Sequence, residues 1–179
     1  LEKENFFLIF GDVLFDIDLQ RMERFHREKQ AAATLFVHPN AHPFDSDLVI
    51  HDADGRVRRF DSKHNVRDYW YRNCVNAGFY LLNRRICQGI PAQTKVDLEK
   101  ELLTSLIADG QPVYAYESSE YIKDVGTVER IQRAEEELGS GLVSRRSLRN
   151  RQRAIFLDRD GTVNRKKGLV YQEEQFELE

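Results

Sequence analysis

The chain starts with two short apolar runs separated by one amphipathic segment, and this pattern restricts the fold more than any other feature. The runs "NFFLIF" (5–10) and "AAATLFV" (31–37) are short and continuous, as strands buried in a parallel sheet require. Between them, Asp18 is a suitable helix N-cap. The apolar residues that follow it recur at helical spacing: Leu19, Met22 and Phe25. Strand, helix and strand in this order predict the βαβ unit of an α/β fold.

The middle of the chain adds further strands and a second helix. "DLVIHDADGRVRRF" alternates about Asp54–Gly55 and predicts a β-hairpin. "NAGFYLLN" and "VYAYE" have the apolar character of strands. "VDLEKELLTSLIADG" predicts a helix that Asp97 caps and Gly110 stops.

The last third of the chain suggests a domain boundary. "YIKDVGTVERIQRAEEEL" predicts a strand followed by a helix with Thr127 as its N-cap. After Leu138 the composition shifts to Gly, Ser and Arg, as in a linker. We therefore expect an α/β body at 1–138, a basic linker at 139–153, and the first strand of a second α/β domain within 154–179.

Composition narrows the class of protein. A hydrophobic content of 41% is enough for a real core and argues against disorder. The net charge of -3 argues against a dedicated nucleic-acid binder. The stretch "SRRSLRNRQR" (144–153) carries five arginines and no acid, which suits either a solvated linker or a phosphate-binding arm.

The cysteines and the apolar runs bear on the compartment. Cys74 and Cys87 are too few and too isolated for a disulfide framework or a zinc site, so we expect reduced thiols in a cytoplasmic protein. No apolar run approaches the length that spans a membrane, so no membrane partner is expected.

Two histidines four residues apart could indicate a metal site, but the prolines next to them argue against it. In "HPNAHPFDSDL" (38–48), His38 and His42 are four residues apart. Pro39 and Pro43 prevent a helix that would present both side chains on one face. The stretch therefore favours a structured loop near a substrate over a metal site.

The stretch "AIFLDRDGTVN" (154–164) places two carboxylates after a predicted strand. A calcium loop would need Gly at its sixth position, where this chain has Val163, so calcium binding is excluded. A carboxylate at a strand end can attack a phosphate monoester, and an acid two residues later can protonate the leaving oxygen. The stretch resembles the first motif of the haloacid-dehalogenase (HAD) phosphatases. The resemblance implies Asp158 as nucleophile, Asp160 as general acid/base, both as Mg²⁺ ligands, and Thr162 as a phosphate contact; an acidic turn after an edge strand is the alternative.

A second pair of carboxylates follows two other predicted strands. Gly11–Asp12 follows the first apolar run, and Asp124 ends "YIKD". Neither motif is specific alone, since Gly11–Asp12 could be a turn and the residues from Asp124 to Thr127 could be the start of a helix. Together they could converge on one Mg²⁺ ion, and such an arrangement suits the transfer of a nucleotidyl group from a nucleoside triphosphate to a sugar 1-phosphate.

The order of these motifs resembles the later part of a sugar-phosphate nucleotidyltransferase, which has a Rossmann-like (GT-A-like) sheet. "NAGFY" and "YIKDVGTVERIQRAEEEL" correspond to motifs of that family. The resemblance implies that Asp12 and Asp124 are the metal ligands, although Lys63 lacks the Glu and Pro that flank the family's lysine. The residues that it places at the substrates are Lys63, Asn76, Ala77, Gly78, Gly126 and Thr127.

The motifs "HPNAHPFDSDL" (38–48), "NAGFY" and "KDVGT" are followed by the basic linker and "FLDRDGTVNRKKGLV" (156–170). In this order they resemble bacterial nucleotidyltransferases fused to a heptose-bisphosphate-type phosphatase. That resemblance implies GTP and D-glycero-D-manno-heptose 1-phosphate as substrates of the transferase and a sugar bisphosphate as substrate of the phosphatase. Two alternatives stay open, namely a hexose 1-phosphate as acceptor and a non-catalytic module that senses sugar nucleotides. A third, a nucleic-acid protein acting through its basic linker, is disfavoured by the net charge.

Motifs of both families are absent from the sequence. The Gly-rich loop that would cradle the triphosphate is missing, as are the later acidic, Lys and Ser/Thr motifs of the phosphatase. We therefore expect an internal piece of a longer bifunctional enzyme that is inactive alone. An unpaired sheet edge could pair with a second copy to give a homodimer, and "AIFLD" is expected to pack poorly.

Overall fold

The computed structural model describes residues 4–40, 44, 46–88, 90–151, 155–168, 170 and 172–178. The strands are β1 Asn5–Ile9, β2 Val13–Asp16, β3 Ala33–His38, β4 Leu48–His51, β5 Val57–Asp61, β6 Val75–Asn83, β7 Val113–Glu117 and β8 Tyr121–Asp124. The α-helices are α1 Leu19–Glu28, α2 Thr104–Ala108, α3 Val128–Gly139 and α4 Leu142–Arg146. A π-helical segment, Leu98–Leu103, leads into α2, and short 3₁₀ turns lie at Arg84–Cys87 and Glu173–Gln175.

A four-stranded mixed sheet in the order β1-β6-β3-β7 forms the centre of the fold. β3 and β7 are parallel, whereas β6 runs antiparallel to both β1 and β3. The α/β class is thus confirmed, but the predicted βαβ unit differs in detail. β1 and β3 run in the same direction with β6 between them, because a continuous apolar run does not reveal the direction of its neighbour.

Two smaller antiparallel sheets flank the central one. β4 and β5 form the hairpin predicted about Asp54–Gly55. β2 pairs with β8, an arrangement that the sequence did not predict because β2 is only four residues long.

The predicted helix caps are confirmed. Asp18 accepts a hydrogen bond from the Arg21 amide, as an N-cap should. Asp97 accepts hydrogen bonds from the next turn, and the helix ends before Gly110, whose φ of +71° favours glycine. Thr127 caps α3, which fixes the direction in which this helix leaves β8.

The core lies on both faces of the central sheet, since successive residues of a strand point to opposite sides. One face carries alternate residues of β3, β6 and β7, and the π-helical segment covers it through Leu103. The other face packs against α1 through Met22. Its aromatic residues contact one another at ring distances of 4.7 to 6.4 Å: Phe15, Phe36, Phe79 and Tyr116.

The predicted linker is partly folded against the body. After α4, the Leu148 amide donates to the buried Glu120 carboxylate, and the Arg149 guanidinium donates to the Ile17 carbonyl at 3.0 Å. The composition of this stretch suggested solvated chain, but its backbone and one arginine are held by groups of the body. The boundary at 139–153 stays a prediction.

The strand predicted at the start of the second domain is not seen at the described residues; residue 154 lies outside them, and the second domain itself stays a prediction. Residues 155–158 are irregular, and Ile155 and Phe156 are 84% and 95% exposed. The described residues contain no strand that pairs with this segment, so its apolar side chains face solvent, which agrees with the expected poor packing. Within the described ranges, no helix is both long and apolar enough to cross a membrane.

Candidate active site

One cleft collects most of the residues that the sequence assigns to the transferase. It has a volume of about 820 Å³ and lies where the β2–β8 pair approaches β6. The predicted residues that line it are Asp12, Lys63, Asn76, Ala77, Gly78 and Asp124. Gly126 and Thr127 follow Asp124 after Val125, at the turn into α3.

The register of β2 and β8 brings two carboxylates together. Asp12 lies in the turn before β2, and Val13 is opposite Asp124 in the antiparallel pair. The Val125 amide donates a 2.7 Å hydrogen bond to the Asp12 carbonyl. A Cβ atom placed on Gly126 would lie 3.2 Å from Asp124 Oδ1 and 3.4 Å from Asp12 Oδ2. Both carboxylates therefore face the same small space beside Gly126.

Asp124 is held in its ionised form by two donors. Its Oδ1 accepts from the Gly126 amide at 2.8 Å, and its Oδ2 accepts from Arg130 Nη1 at 2.6 Å. The Gly126 amide is the main cause that lowers the pKa of Asp124, and Arg130 adds to it. Two carboxylates around a space without a side chain offer the hard oxygen ligands that Mg²⁺ prefers, so these residues fit the predicted metal.

Asn76 is fixed by a small polar network at the floor of the cleft. Its Nδ2 donates to Tyr80 Oη and to Glu99 Oε2, both at 2.6 Å, and its Oδ1 accepts from the Gly78 amide at 3.2 Å. Burial raises the pKa of Glu99 above its usual value, and the hydrogen bond from Asn76 offsets this rise only in part. The network holds the Asn76 side chain in one orientation at the cleft.

The structure gives a reason for glycine at position 78 that does not involve the predicted substrate contact. Its φ is +71°, and an added Cβ would lie 2.8 Å from Cδ2 of Phe10. It lies where the register of β6 against β3 shifts, opposite Leu35–Val37. The backbone at Gly78 therefore lies close to the Phe10 ring, and a side chain at this position would clash with that ring.

The loop around Lys63 closes another side of the cleft. The Lys63 amide donates to Asp47 Oδ1 at 2.8 Å, and Asn40 Nδ2 donates to Ser46 Oγ at 2.6 Å. His38 also lines the cleft, with its pKa lowered by burial. His38, Asn40, Ser46 and Asp47 belong to the stretch predicted to be a structured loop near the substrate; His42 and Pro43 lie outside the described residues.

Cationic side chains make the cleft suitable for phosphate groups. Arg130, Arg133 and Arg146 line it together with Lys63. The Lys123 ammonium pairs with Glu137, which also accepts a 2.9 Å hydrogen bond from Tyr121 Oη. Burial opposes ionisation of Glu137, but the donors Lys123 and Tyr121 prevail and lower its pKa.

The phosphatase-motif residues lie apart from this cleft. Asp158 is exposed, and Asp160 pairs with its neighbour Arg159 at 2.8 Å, which lowers the pKa of Asp160. Thr162 is an exposed turn residue. None of the three is among the residues that line the cleft in the described part of the chain.

Sequence reasoning missed two residues that shape the site. Arg130 pairs with Asp124, and a signal existed, because Arg130 lies in the first turn of the helix capped by Thr127. Glu99 reaches Asn76 from the π-helical segment, and only the tertiary fold brings them together.

A model of the nucleotidyl transferase family matches residues 1–141. The chain belongs to this family. A mannose-1-phosphate guanylyltransferase of Mycobacterium tuberculosis is 31% identical over 150 residues, which are 83% of this chain and 41% of that protein. A UTP–glucose-1-phosphate uridylyltransferase of Synechocystis is 29% identical over 127 residues, or 70% of this chain and 32% of that protein. The chain thus spans less than half the length of these curated relatives.

Solved structures share the fold of this chain. HddC from Yersinia pseudotuberculosis superposes with a TM-score of 0.61 at 18% identity, covering 77% of this chain and 57% of HddC. A second HddC structure, described as complexed with GMP-PN, gives the same score. These similarities support the Rossmann-like sheet expected for the nucleotidyl transferase family.

Proposed function

We propose that this chain supplies the metal and acceptor side of a nucleotidyl-transfer site. The observation that carries the proposal is the convergence of Asp12 and Asp124 on Gly126, at the edge of a cleft lined by Asn76 and Gly78. In the reaction, an oxygen of a sugar 1-phosphate attacks the α-phosphorus of a nucleoside triphosphate and pyrophosphate leaves.

Each part of the cleft has a task in this reaction. Asp12 and Asp124 would hold Mg²⁺, which neutralises the charge that develops on the phosphates. Lys63 and the cleft arginines attract and orient the phosphate groups. Asn76, fixed by Glu99 and Tyr80, can accept one further hydrogen bond at Oδ1 from a hydroxyl of the acceptor.

The relatives and the motif order support the proposed substrates. A guanylyltransferase among the relatives, and the resemblance to heptose-specific enzymes, favour GTP and D-glycero-D-manno-heptose 1-phosphate. Mannose or glucose 1-phosphate are the hexose alternatives, since other relatives are named for them.

A second activity, a sugar-bisphosphate phosphatase, rests on the order Asp158-Arg159-Asp160-Gly161-Thr162. The end of α3 at Gly139 and the family match to 141 support the boundary between a transferase body and a separate C-terminal unit. Release of phosphate from heptose 1,7-bisphosphate by the natural protein, abolished by Asp158→Asn, would support this activity; equal release by the variant would refute the assignment.

Transfer is tested by pyrophosphate release from GTP and each sugar 1-phosphate with Mg²⁺, using the natural protein that contains this sequence. Asp124→Asn should lower the rate about a hundredfold or more. Asp109→Asn, the same change at an exposed helix end, should leave the rate unchanged. A sensor module would instead bind sugar nucleotide without turnover in either form.

A further inference from the structure

Three side chains that carry three kinds of metal-ligand atom lie together outside the cleft described above. A ring nitrogen of His51, Sγ of Cys74 and a carboxylate oxygen of Glu117 all lie within 4.8 Å of one another. His51 ends β4, Cys74 immediately precedes β6, and Glu117 ends β7. We propose that these three side chains bind one Zn²⁺ ion.

The chemistry of the donors favours zinc over magnesium. Zn²⁺ is bound in proteins by imidazole nitrogen, thiolate sulfur and carboxylate oxygen, whereas Mg²⁺ takes oxygen ligands. A thiolate and a carboxylate together balance the charge of the ion. The two cysteines looked too isolated in sequence for a zinc site, but the fold brings ligands from other strands to Cys74.

His51 is prepared to act as a ligand. Its Nδ1 lies 2.9 Å from the Asp52 carbonyl oxygen, which can only accept, so Nδ1 carries the proton and Nε2 carries the lone pair. Nε2 is buried, and within the described ranges it has no hydrogen-bond partner. A backbone carbonyl behind one imidazole nitrogen is the usual support of a metal-bound histidine. An ion at Nε2 would satisfy an acceptor that is otherwise buried and unpaired.

Cys74 and Glu117 supply the other two ligand atoms of the proposed site. Cys74 is 1% exposed, and burial together with the Glu117 charge raises the pKa of its thiol to about 11. Zinc must therefore displace the thiol proton. Glu117 Oε2 pairs with Arg72 Nη1 at 2.9 Å, and the carboxylate has a second oxygen for the ion.

The proposed zinc site can be reached from solvent, and a bound ion would link two parts of the fold. His51 and Glu117 line a second cleft of about 450 Å³, which leaves room for a water as fourth ligand. Ligand atoms around tetrahedral zinc are about 3.5 Å apart, so the side chains have to approach by about 1 Å. The ion would tie the β4–β5 hairpin to the central sheet, beside the 2.9 Å hydrogen bond from the Val49 amide to the Cys74 carbonyl.

The test is metal binding by the chelator-stripped chain, measured by calorimetry with Zn²⁺ and by visible absorption with Co²⁺ as probe. We expect one high-affinity ion per chain, distinct from any weaker binding at Asp12 and Asp124, a thiolate-to-cobalt charge-transfer band, and a higher Tm with Zn²⁺. Cys74→Ser should remove the band and weaken Zn²⁺ binding about tenfold or more. The matched control Cys87→Ser should retain both, since Cys87 is not in the cluster.

Two further variants keep the test decisive. His51→Gln changes a partly exposed side chain and should weaken Zn²⁺ binding even if Cys74→Ser fails to fold. Asp124→Asn should leave Zn²⁺ binding unchanged, which separates this site from the transfer site. Absence of stoichiometric binding, or a cobalt band that persists in Cys74→Ser, would overturn the proposal and leave a thiol–carboxylate hydrogen bond only.

Discussion

Asp12 and Asp124 are neighbours because the antiparallel register of β2 and β8 places the residue after Asp12 opposite Asp124. The two residues are far apart in sequence, and neither element is part of the central sheet. The Val125 amide bonded to the Asp12 carbonyl locks this register at the end of the pair. The candidate metal site is therefore built on a two-stranded ribbon whose geometry depends on backbone hydrogen bonds.

Gly126→Ala tests the space between the carboxylates. The new Cβ would lie 3.2 and 3.4 Å from their oxygens and would push them apart, so Mg²⁺-dependent transfer by the natural protein should fall about tenfold or more. The control is Gly139→Ala, where no atom lies within 4 Å of the added Cβ and the helix should gain up to about 1 kcal/mol. Equal rates for the two variants would contradict this role of Gly126.

Asp61→Asn tests the buried ion pair that shapes the loop after β5. Asp61 accepts hydrogen bonds from Asn65, Arg67 and Tyr69, and both Asp61 and Arg67 are nearly buried. The variant leaves the Arg67 charge without its partner, so the free energy of unfolding at neutral pH should fall by about 3 kcal/mol. Asp54→Asn, the same change in the exposed pair with Lys29, should cost much less, because solvent screens that pair.

The pH dependence of stability follows from the same carboxylate. Hydrogen bonds from Asn65 and Tyr69, and then Arg67, lower the pKa of Asp61 in the folded state. The contribution of Asp61 to the free energy of unfolding is therefore complete above its pKa in the unfolded chain, about 4. It is lost as the pH falls through the lower pKa that Asp61 has in the folded protein. Chemical denaturation should show the wild type and Asp61→Asn converging in stability toward low pH. A difference that stays constant with pH would contradict this account.

Two truncations test whether the predicted linker belongs to the body. Ending the chain after Arg151 should leave its Tm unchanged, because residues 155–158 are exposed and irregular and the hydrogen bonds of buried Asn164 and Val170 stay within 159–178. Ending it after Ser140 removes Leu148 and Arg149, which bond to Glu120 and to the Ile17 carbonyl, and should lower the Tm by roughly 3–8 °C. Equal Tm values for the two truncations would show that the segment is a true linker.

Local signals in the sequence predicted local structure well. The caps Asp18, Asp97 and Thr127 mark helices that form, and Asp54–Gly55 marks the hairpin. These features depend on hydrogen bonds within a few residues, which a pattern in the chain specifies directly.

Relationships between distant segments were harder to predict. β6 enters between β1 and β3, and an apolar run carries no information on which neighbour it will meet or in which direction. Glu99 and Arg130 join the site because their helices dock there. Ile155 and Phe156 have the composition of a strand, but a strand needs a partner to satisfy its backbone.

The most direct test of the metal site is Mn²⁺ binding by this chain, followed by nuclear magnetic resonance. Mn²⁺ accepts the same oxygen ligands as Mg²⁺ and broadens the signals of nearby amides. If Asp12 and Asp124 hold the metal, substoichiometric Mn²⁺ should broaden the Gly126 amide signal in the wild type, and either Asp12→Asn or Asp124→Asn should abolish this effect. A sharp Gly126 signal in the wild type, or equal broadening in both variants, would contradict the site.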